Sequence, residues 1–390
     1  MAILTRFRML FALLLLGVLA ACGGGGGEAS GSGTLRLALT DAPSCGYDEV
    51  NVTVERVRVH QSSTAADSDG GWVDLVQDPP QRVDLLTLSN GLLMELGQTR
   101  LTAGTYRQLR LVLADNTVLN PMANSVLPTG GTEVALKTPS AQQSGLKIRV
   151  GMDVATDQLA DVVLDFDACK SVVKAGGSGQ FLLKPVITAF PRTATGVAGE
   201  VATSLANGST TVALQQGGVT LRSTTPSPSG SFLLQPVLPG TYTLVLTAPG
   251  RAVAVVSEVA VAEGNVVRIQ PAATPLDPAI STRSGTLTGT VTTALSPVDA
   301  SVRVLQPLPA AVVEIINRPV DGDTGQYRYR LSTAAPELAV HAGGAALAFG
   351  PVGASAGPFT LEATAAGQTQ AVEAVVLGDD ATATNNFVFP

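Results

Sequence analysis

The chain of 390 residues is poor in the side chains that most chemistry depends on, with two histidines, three cysteines and one tryptophan. Nucleophilic catalysis needs a base, normally histidine, within hydrogen-bond reach of a serine or cysteine. With only His60 and His341 to supply it, no triad is expected. No H-E-x-x-H, Walker loop or dinucleotide fingerprint occurs either. Basic residues are also few: 24 Lys plus Arg stand against 31 Asp plus Glu, for a net charge of -7. Without a basic surplus there is no footprint for a phosphate backbone, so nucleic acid is not an expected partner. Aromatic residues are only 4%, which leaves few platforms for stacking a sugar.

Core-forming residues, in contrast, are plentiful: 45% of the chain is hydrophobic, punctuated by 41 Gly and 24 Pro. This composition excludes disorder, and the length exceeds what one core supports, so about three domains are expected. Residues 1–21 read as a signal peptide, with Arg6 and Arg8 ahead of an apolar run from Met9 to Leu19 that is too short to span a bilayer. No second long apolar run follows, so the mature chain is expected to have no transmembrane helix. Leu19, Ala20, Ala21 and Cys22 resemble the lipobox of bacterial lipoproteins. The resemblance implies lipidation of Cys22 by diacylglycerol and palmitate-type chains, which would anchor the protein through several acyl groups. Gly23 stands where inner-membrane-retained lipoproteins often carry Asp, which points to the outer membrane, facing the periplasm or the cell surface. Residues 22–33 then form the lipidated cysteine and a Gly-rich tether with a reach of about 18 Å.

With Cys22 lipidated, Cys45 and Cys169 remain. In an oxidising compartment they are expected to form a disulfide, the alternative being two buried thiols.

From Thr34 onward the hydrophobic pattern has period two. Leu35, Leu37 and Leu39 alternate with Arg36 and Ala38; Val50, Val52 and Val54 alternate before the phase slips to Val57 and Val59, which predicts a β-bulge near Glu55 and Arg56. Leu109 to Leu113, Leu146 to Val150 and Val162 to Phe166 read the same way. Helical periodicity is almost absent, its best candidate being Leu85 to Leu96, broken by Asn90 and Gly91. The expected fold is all-β, a multi-domain string of antiparallel β-sandwiches of prealbumin or immunoglobulin-like type.

The second half contains a weak internal repeat of about 90 residues. Val197, Gly199 and Val201 open one copy; Leu287, Gly289 and Val291 open the other. Each leads to a glycine turn and an aromatic strand, Gly230 and Phe232 in the first copy, Gly325 and Tyr327 in the second. Between the copies, Pro271 to Pro278 reads as a stiff extended linker. The G-x-V opening, the turn and the Leu238-Pro239-Gly240-Thr241-Tyr242 run resemble carboxypeptidase regulatory-like domains, which implies a carbohydrate-binding-like sandwich over 193–273 and a divergent one over 284–390. The second copy lacks the L-P-G-x-Y run and carries an Ala- and Gly-rich stretch from Ala342 to Gly357 instead. Related adhesin repeats form Lys-to-Asn isopeptide links, but no lysine follows Lys184.

Residues 34–192 resemble the bacterial lipoprotein family called domain of unknown function four-three-eight-two. The resemblance rests on Leu39-Thr40-Asp41-Ala42-Pro43, the Val50 to His60 strand, Asp84-Leu85-Leu86 with Asn90 and Gly91, Leu101 to Arg110, and Asp165-Phe166-Asp167-Ala168 through Lys184-Pro185-Val186. It implies an extracytoplasmic β-rich domain and no activity. Its Leu101 to Tyr106 run echoes Leu238 to Tyr242.

Clustered carboxylates are the remaining site-formers, because calcium wants six to eight oxygens. Asp67 with Asp69, Asp321 with Asp323, and Asp379-Asp380 with Asn385-Asn386 qualify by composition as calcium sites or as acidic turns. Trp72 follows an Asp- and Gly-rich loop and is either a strand anchor or a surface for ligand. Asp165 and Asp167 flank Phe166 and could act as paired acids. The leading expectation is a non-enzymatic, cofactor-free outer-membrane lipoprotein that presents β-sandwich modules to a protein or glycan partner. The alternatives are a calcium-stabilised carbohydrate-binding adhesin, and a hydrolase using Asp165 or Asp167.

Overall fold

The computed structural model describes residues 31–41, 46–138, 144–309, 311–343 and 345–390. Alternating strands bury one face each, and three large hydrophobic cores result, all but a few of their residues drawn from 35–189, 197–276 and 287–389 respectively, with a fourth, small cluster of Val245, Val253, Val255 and Val313 between the second and third modules. The fold is all-β, built of paired, mostly antiparallel sheets.

In the first module, a four-stranded sheet (Ile187–Pro191, Leu159–Phe166, Ser32–Asp41, Met94–Thr102) covers an eight-stranded one centred on Tyr47–His60. Along that central strand Val50, Val52, Val54, Val57 and Val59 are all buried, and the register shifts between Val54 and Arg56 against both neighbouring strands. The predicted bulge is therefore present, and it keeps two valine sets on one face. Leu85 to Leu96 forms no long helix; a 3-10 turn, Leu85–Leu88, is followed by the strand Met94–Thr102. Asn90 (φ 58°) and Gly91 (φ 74°) end the turn in left-handed backbone.

The second and third modules share one topology. The opening strand Gly196–Glu200 pairs antiparallel with Ser231–Leu234 and parallel with Val266–Arg268; Ser284–Thr292 does the same with Gln326–Ser332 and Thr382–Thr384. The turn glycine recurs as well. Val201 N–H donates to Gly230 O at 2.8 Å and Val291 N–H to Gly325 O at 2.9 Å, both glycines having positive φ. A side chain on Gly199 would meet the Phe232 ring, and one on Gly289 would meet Asn385 O, so the aromatic strand needs glycine opposite it. The Tyr242 hydroxyl donates to Leu238 O at 2.7 Å and the Tyr106 hydroxyl to Thr102 O at 3.1 Å. This is a tyrosine corner in two modules.

The Ala- and Gly-rich departure of the second repeat has a structural reason. Glu337–Val340 leaves the third module and pairs parallel with Ala254–Val261, extending the second module's sheet to six strands together with Gly350–Pro351. Leu347 and Phe349 pack on the second core. The insertion covers what would be an open sheet edge. The stretch 271–278 is not a free spacer either. Leu276 is buried in the second core and its carbonyl accepts from Ala202 N–H at 2.8 Å, so this expectation is corrected.

Candidate functional site

The residues singled out by sequence are spent largely on joining these modules and bracing their loops. Trp72 is half-buried at the start of the strand Val73–Asp84. Its ring lies 4.5 Å from the Arg110 guanidinium and 5.0 Å from that of Arg58, and its Nε1–H donates to Ala66 O at 2.9 Å. The His60 ring, 5.0 Å away, completes the cage. Arg110 is fully buried and also donates to Ala65 O and Ser144 O. Asp67 faces Arg58 at 2.5 Å and Arg110 at 3.2 Å, while Asp69 accepts from Ala66 N–H at 2.8 Å. Two guanidinium groups beside Asp67 oppose a cation there, and the contacts latch the loop. Arg110 carried part of the family resemblance but neither it nor Arg58 was read as a site residue from sequence; their alternation with valine and leucine on two neighbouring strands was the available signal.

Asp321 and Asp323 join the third module to the first. Asp321 Oδ2 accepts from Gly176 N–H at 2.7 Å, its Oδ1 accepts from Thr324 N–H and hydroxyl at 2.9 Å each, and Asp323 Oδ2 accepts from Ser178 N–H at 2.8 Å. Burial raises the Asp321 pKa, but the bonds from Thr324, Gly176 and Asp323 outweigh it and hold the group below the ordinary 3.8. A side chain on Gly176 would collide with Asp321 Oδ2, so the approach depends on glycine. Both Asp321 oxygens and Asp323 Oδ2 thus have donors, and the pair forms a junction between the modules. Asp379 accepts from the Thr333 hydroxyl and pairs with Arg283 at 2.8 Å, Asn386 Oδ1 accepts from Thr290 N–H at 2.9 Å, Asn385 N–H donates to Thr288 O and Asp380 N–H to Ser284 O. No metal-holding group of three or more His, Cys, Asp or Glu occurs among the described residues.

Asp165 and Asp167 are near enough to interact, the charge of Asp167 being one of the causes that raise the Asp165 pKa, but each has a further partner. Asp165 forms an ion pair with Arg222 of the second module, whose guanidinium stacks 3.8 Å from the Phe190 ring centroid. Burial outweighs the attraction of Arg222 and pushes the Asp165 pKa up to about 6. Asp167 caps the short helix Ala168–Ser171 through Lys170 N–H and pairs with Lys170 Nζ at 3.0 Å. Both acids are therefore placed in structural contacts. Beside them Asn90 donates to Thr225 O at 2.8 Å, extending the same junction. Cys169, on the short helix, is bonded to a partner; Cys22 and Cys45 lie outside the described residues. His341, on the inserted segment, donates its backbone N–H to Ser257 O at 2.9 Å.

Where the three modules meet, a cleft of about 750 Å³ opens, walled by the Ala168–Ser171 helix, by the strands Thr211–Gln216 and Gly240–Thr247 and by Val312–Pro319. The second and third modules are clamped at its side by Gln215, whose amide bonds Glu314 N–H at 2.8 Å and Glu314 O at 2.7 Å. No helix among the described residues is long and apolar enough to cross a membrane.

No curated protein matches the chain. Among solved structures it is similar to the Bacillus anthracis TIE protein, with 12% identity over 92% of this chain and a TM-score of 0.17. The chain spans 51% of the length of that protein. It is also similar to a Streptococcal ancillary pilin (11% identity, 91% of this chain and 99% of that one, TM-score 0.15). The major pilin from Streptococcus pyogenes gives 8% identity over 92% of this chain and 99% of its own length, with a TM-score of 0.15. TM-scores this low carry no argument about shape or role. By sequence, residues 32–185 match a family model described as a domain of unknown function (DUF4382).

Proposed function

We propose that the protein is a non-enzymatic exported lipoprotein, held at the outer membrane through Cys22, whose three β-sandwich modules act as one rigid body presented to a protein or glycan partner. One observation carries the scaffold reading: Asp165, Asp321 and Asp323, three of the acids that the sequence offers as site residues, each tie one module to another. Pre-ordered junctions lower the entropy cost of presenting a surface. The carboxypeptidase regulatory-like character of the second and third modules belongs to the same proposal. Its support is the shared topology with the recurring turn glycine. The disulfide between Cys45 and Cys169 belongs to it too, and is supported by Cys169 having a bonded partner.

Metabolic labelling with an alkyne-tagged palmitate tests the anchor. The wild-type chain is expected to incorporate label and sediment with outer membranes, and Cys22→Ala to lose both. An unlabelled wild-type chain in the soluble fraction would sink the lipoprotein reading. The scaffold reading is tested separately by crosslinking on intact cells, where a captured envelope protein or glycan is expected; turnover of any ester, amide or glycoside panel that is lost in Asp165→Asn without unfolding would sink it.

A further inference from the structure

The cleft between the modules has a charge balance opposite to that of the whole protein. Lys170, Arg251, Arg283, Arg318 and Arg330 reach its walls, against only Asp167 and Glu314. Both acids are already engaged. Asp167 pairs with Lys170 at 3.0 Å, and Glu314 lies 3.7 Å from Arg303 and accepts from Asn317 Nδ2 at 3.2 Å. Arg251 is held by Asp277 at 2.6 Å and Arg283 by Asp379 at 2.8 Å. Arg318 and Arg330 remain, and neither guanidinium has a hydrogen-bond or ion-pair partner among the described residues. Arg330 is exposed, whereas Arg318 is half-buried against Tyr47 and Tyr329, and that burial pushes its pKa down.

A charge withdrawn from water is ordinarily paired. Here the open cleft is the place left for its partner. Ser284 Oγ, at the same cleft, is buried with no hydrogen-bond partner among the described residues. Much of the remaining wall is apolar, with Val245, Val253 and Ile315 contributing. The volume falls within the range of about 300–1,000 Å³ typical of small-ligand pockets, which form preferentially at domain interfaces.

We propose that this cleft binds a small organic anion, an oxyanion head on Arg318 and Arg330 with an apolar body against Val245, Val253 and Ile315. The inference does not rest on the lipid anchor, so a failure of labelling at Cys22 and a failure of binding here are separate results. The test is titration calorimetry on the purified full chain, with a matched blank, using 1-naphthoate, 1-naphthyl phosphate, the neutral 1-naphthalenemethanol and inorganic phosphate. One of the two naphthyl anions is expected to bind with unit stoichiometry, and which of them binds tells a carboxylate from a phosphate head. The alcohol, inorganic phosphate, and the Arg318→Gln and Arg330→Gln variants are expected to be weaker by at least about tenfold. Arg330→Gln leaves folding intact because the residue is exposed. Equal binding of the alcohol, phosphate binding as tightly as the naphthyl anions, no heat from either naphthyl anion, or unchanged affinity in Arg330→Gln would each overturn the proposal.

Discussion

The buried pair of Asp165 and Arg222 shows how a residue that looks catalytic in a sequence becomes structural in a fold. Taking two charges out of water is costly, and removing one partner strands the other. Arg222→Met is therefore expected to destabilise the protein by about 3 kcal/mol at pH 8. At pH 5 the stranded Asp165 accepts a proton more readily, so the penalty should shrink. Denaturant unfolding at the two pH values measures this, and an equal penalty at both would show that Asp165 is not ionised in the wild-type junction. Trp72 is the second case. As the only tryptophan it reports on its own cage, and Arg110→Met is expected to change its emission and to cost about 2 kcal/mol through the lost charged hydrogen bonds. An unaltered spectrum would deny the stacking. The sequence offered two readings of Trp72, anchor or ligand surface, and could not choose between them, because the arginines that surround it come from separate strands.

At the scale of elements, the inserted segment is the feature to test. Ala339 lies buried in Glu337–Val340, paired with Val256 on the second module's strand Ala254–Val261. Proline at 339 removes a donor and distorts the ladder, at a cost of about 3 kcal/mol. Hydrogen exchange should show lost protection across 254–257 while the third core stays protected. Loss confined to the third core would instead mean that the segment serves its own module. Gly176→Ala probes the other junction: a methyl collides with Asp321 Oδ2, so the turn must shift and the bonds from Gly176 and Ser178 weaken.

Much at this scale was legible in advance. The phase slip at Glu55 and Arg56 gave the bulge because a two-residue period leaves no other way to keep Val54 and Val57 on one face. The repeat gave the turn glycines for a similar reason. The strand lent by residues 337–340 was not legible, since a parallel pairing between segments some eighty residues apart leaves no local periodicity. Junction residues escaped for the same reason. Asp321 and Asp323 read as a turn, and nothing near them in the chain announces Gly176 or Ser178.

For the whole molecule, the two acidic junctions respond to pH in opposite directions. The folded pKa of Asp165 is raised to about 6 from 3.8. As pH falls through that value the folded chain takes up a proton that the unfolded chain does not, so this group's contribution to stability rises until about pH 4. The folded pKa of Asp321 is depressed below 3.8. Its stabilisation is full above that value and is lost as pH falls through the lower folded pKa. Because Asp165 serves the junction of the first and second modules and Asp321 that of the first and third, stability should peak near pH 4, with a different junction limiting each side. Melting temperature followed against pH in the full chain measures this. Asp165→Asn is expected to flatten the fall from pH 5 to 7, and Asp321→Asn to flatten the acid side while lowering stability at neutral pH. A wild-type slope above pH 5 that persists in Asp165→Asn would assign that limb to some other group and leave the first junction indifferent to pH.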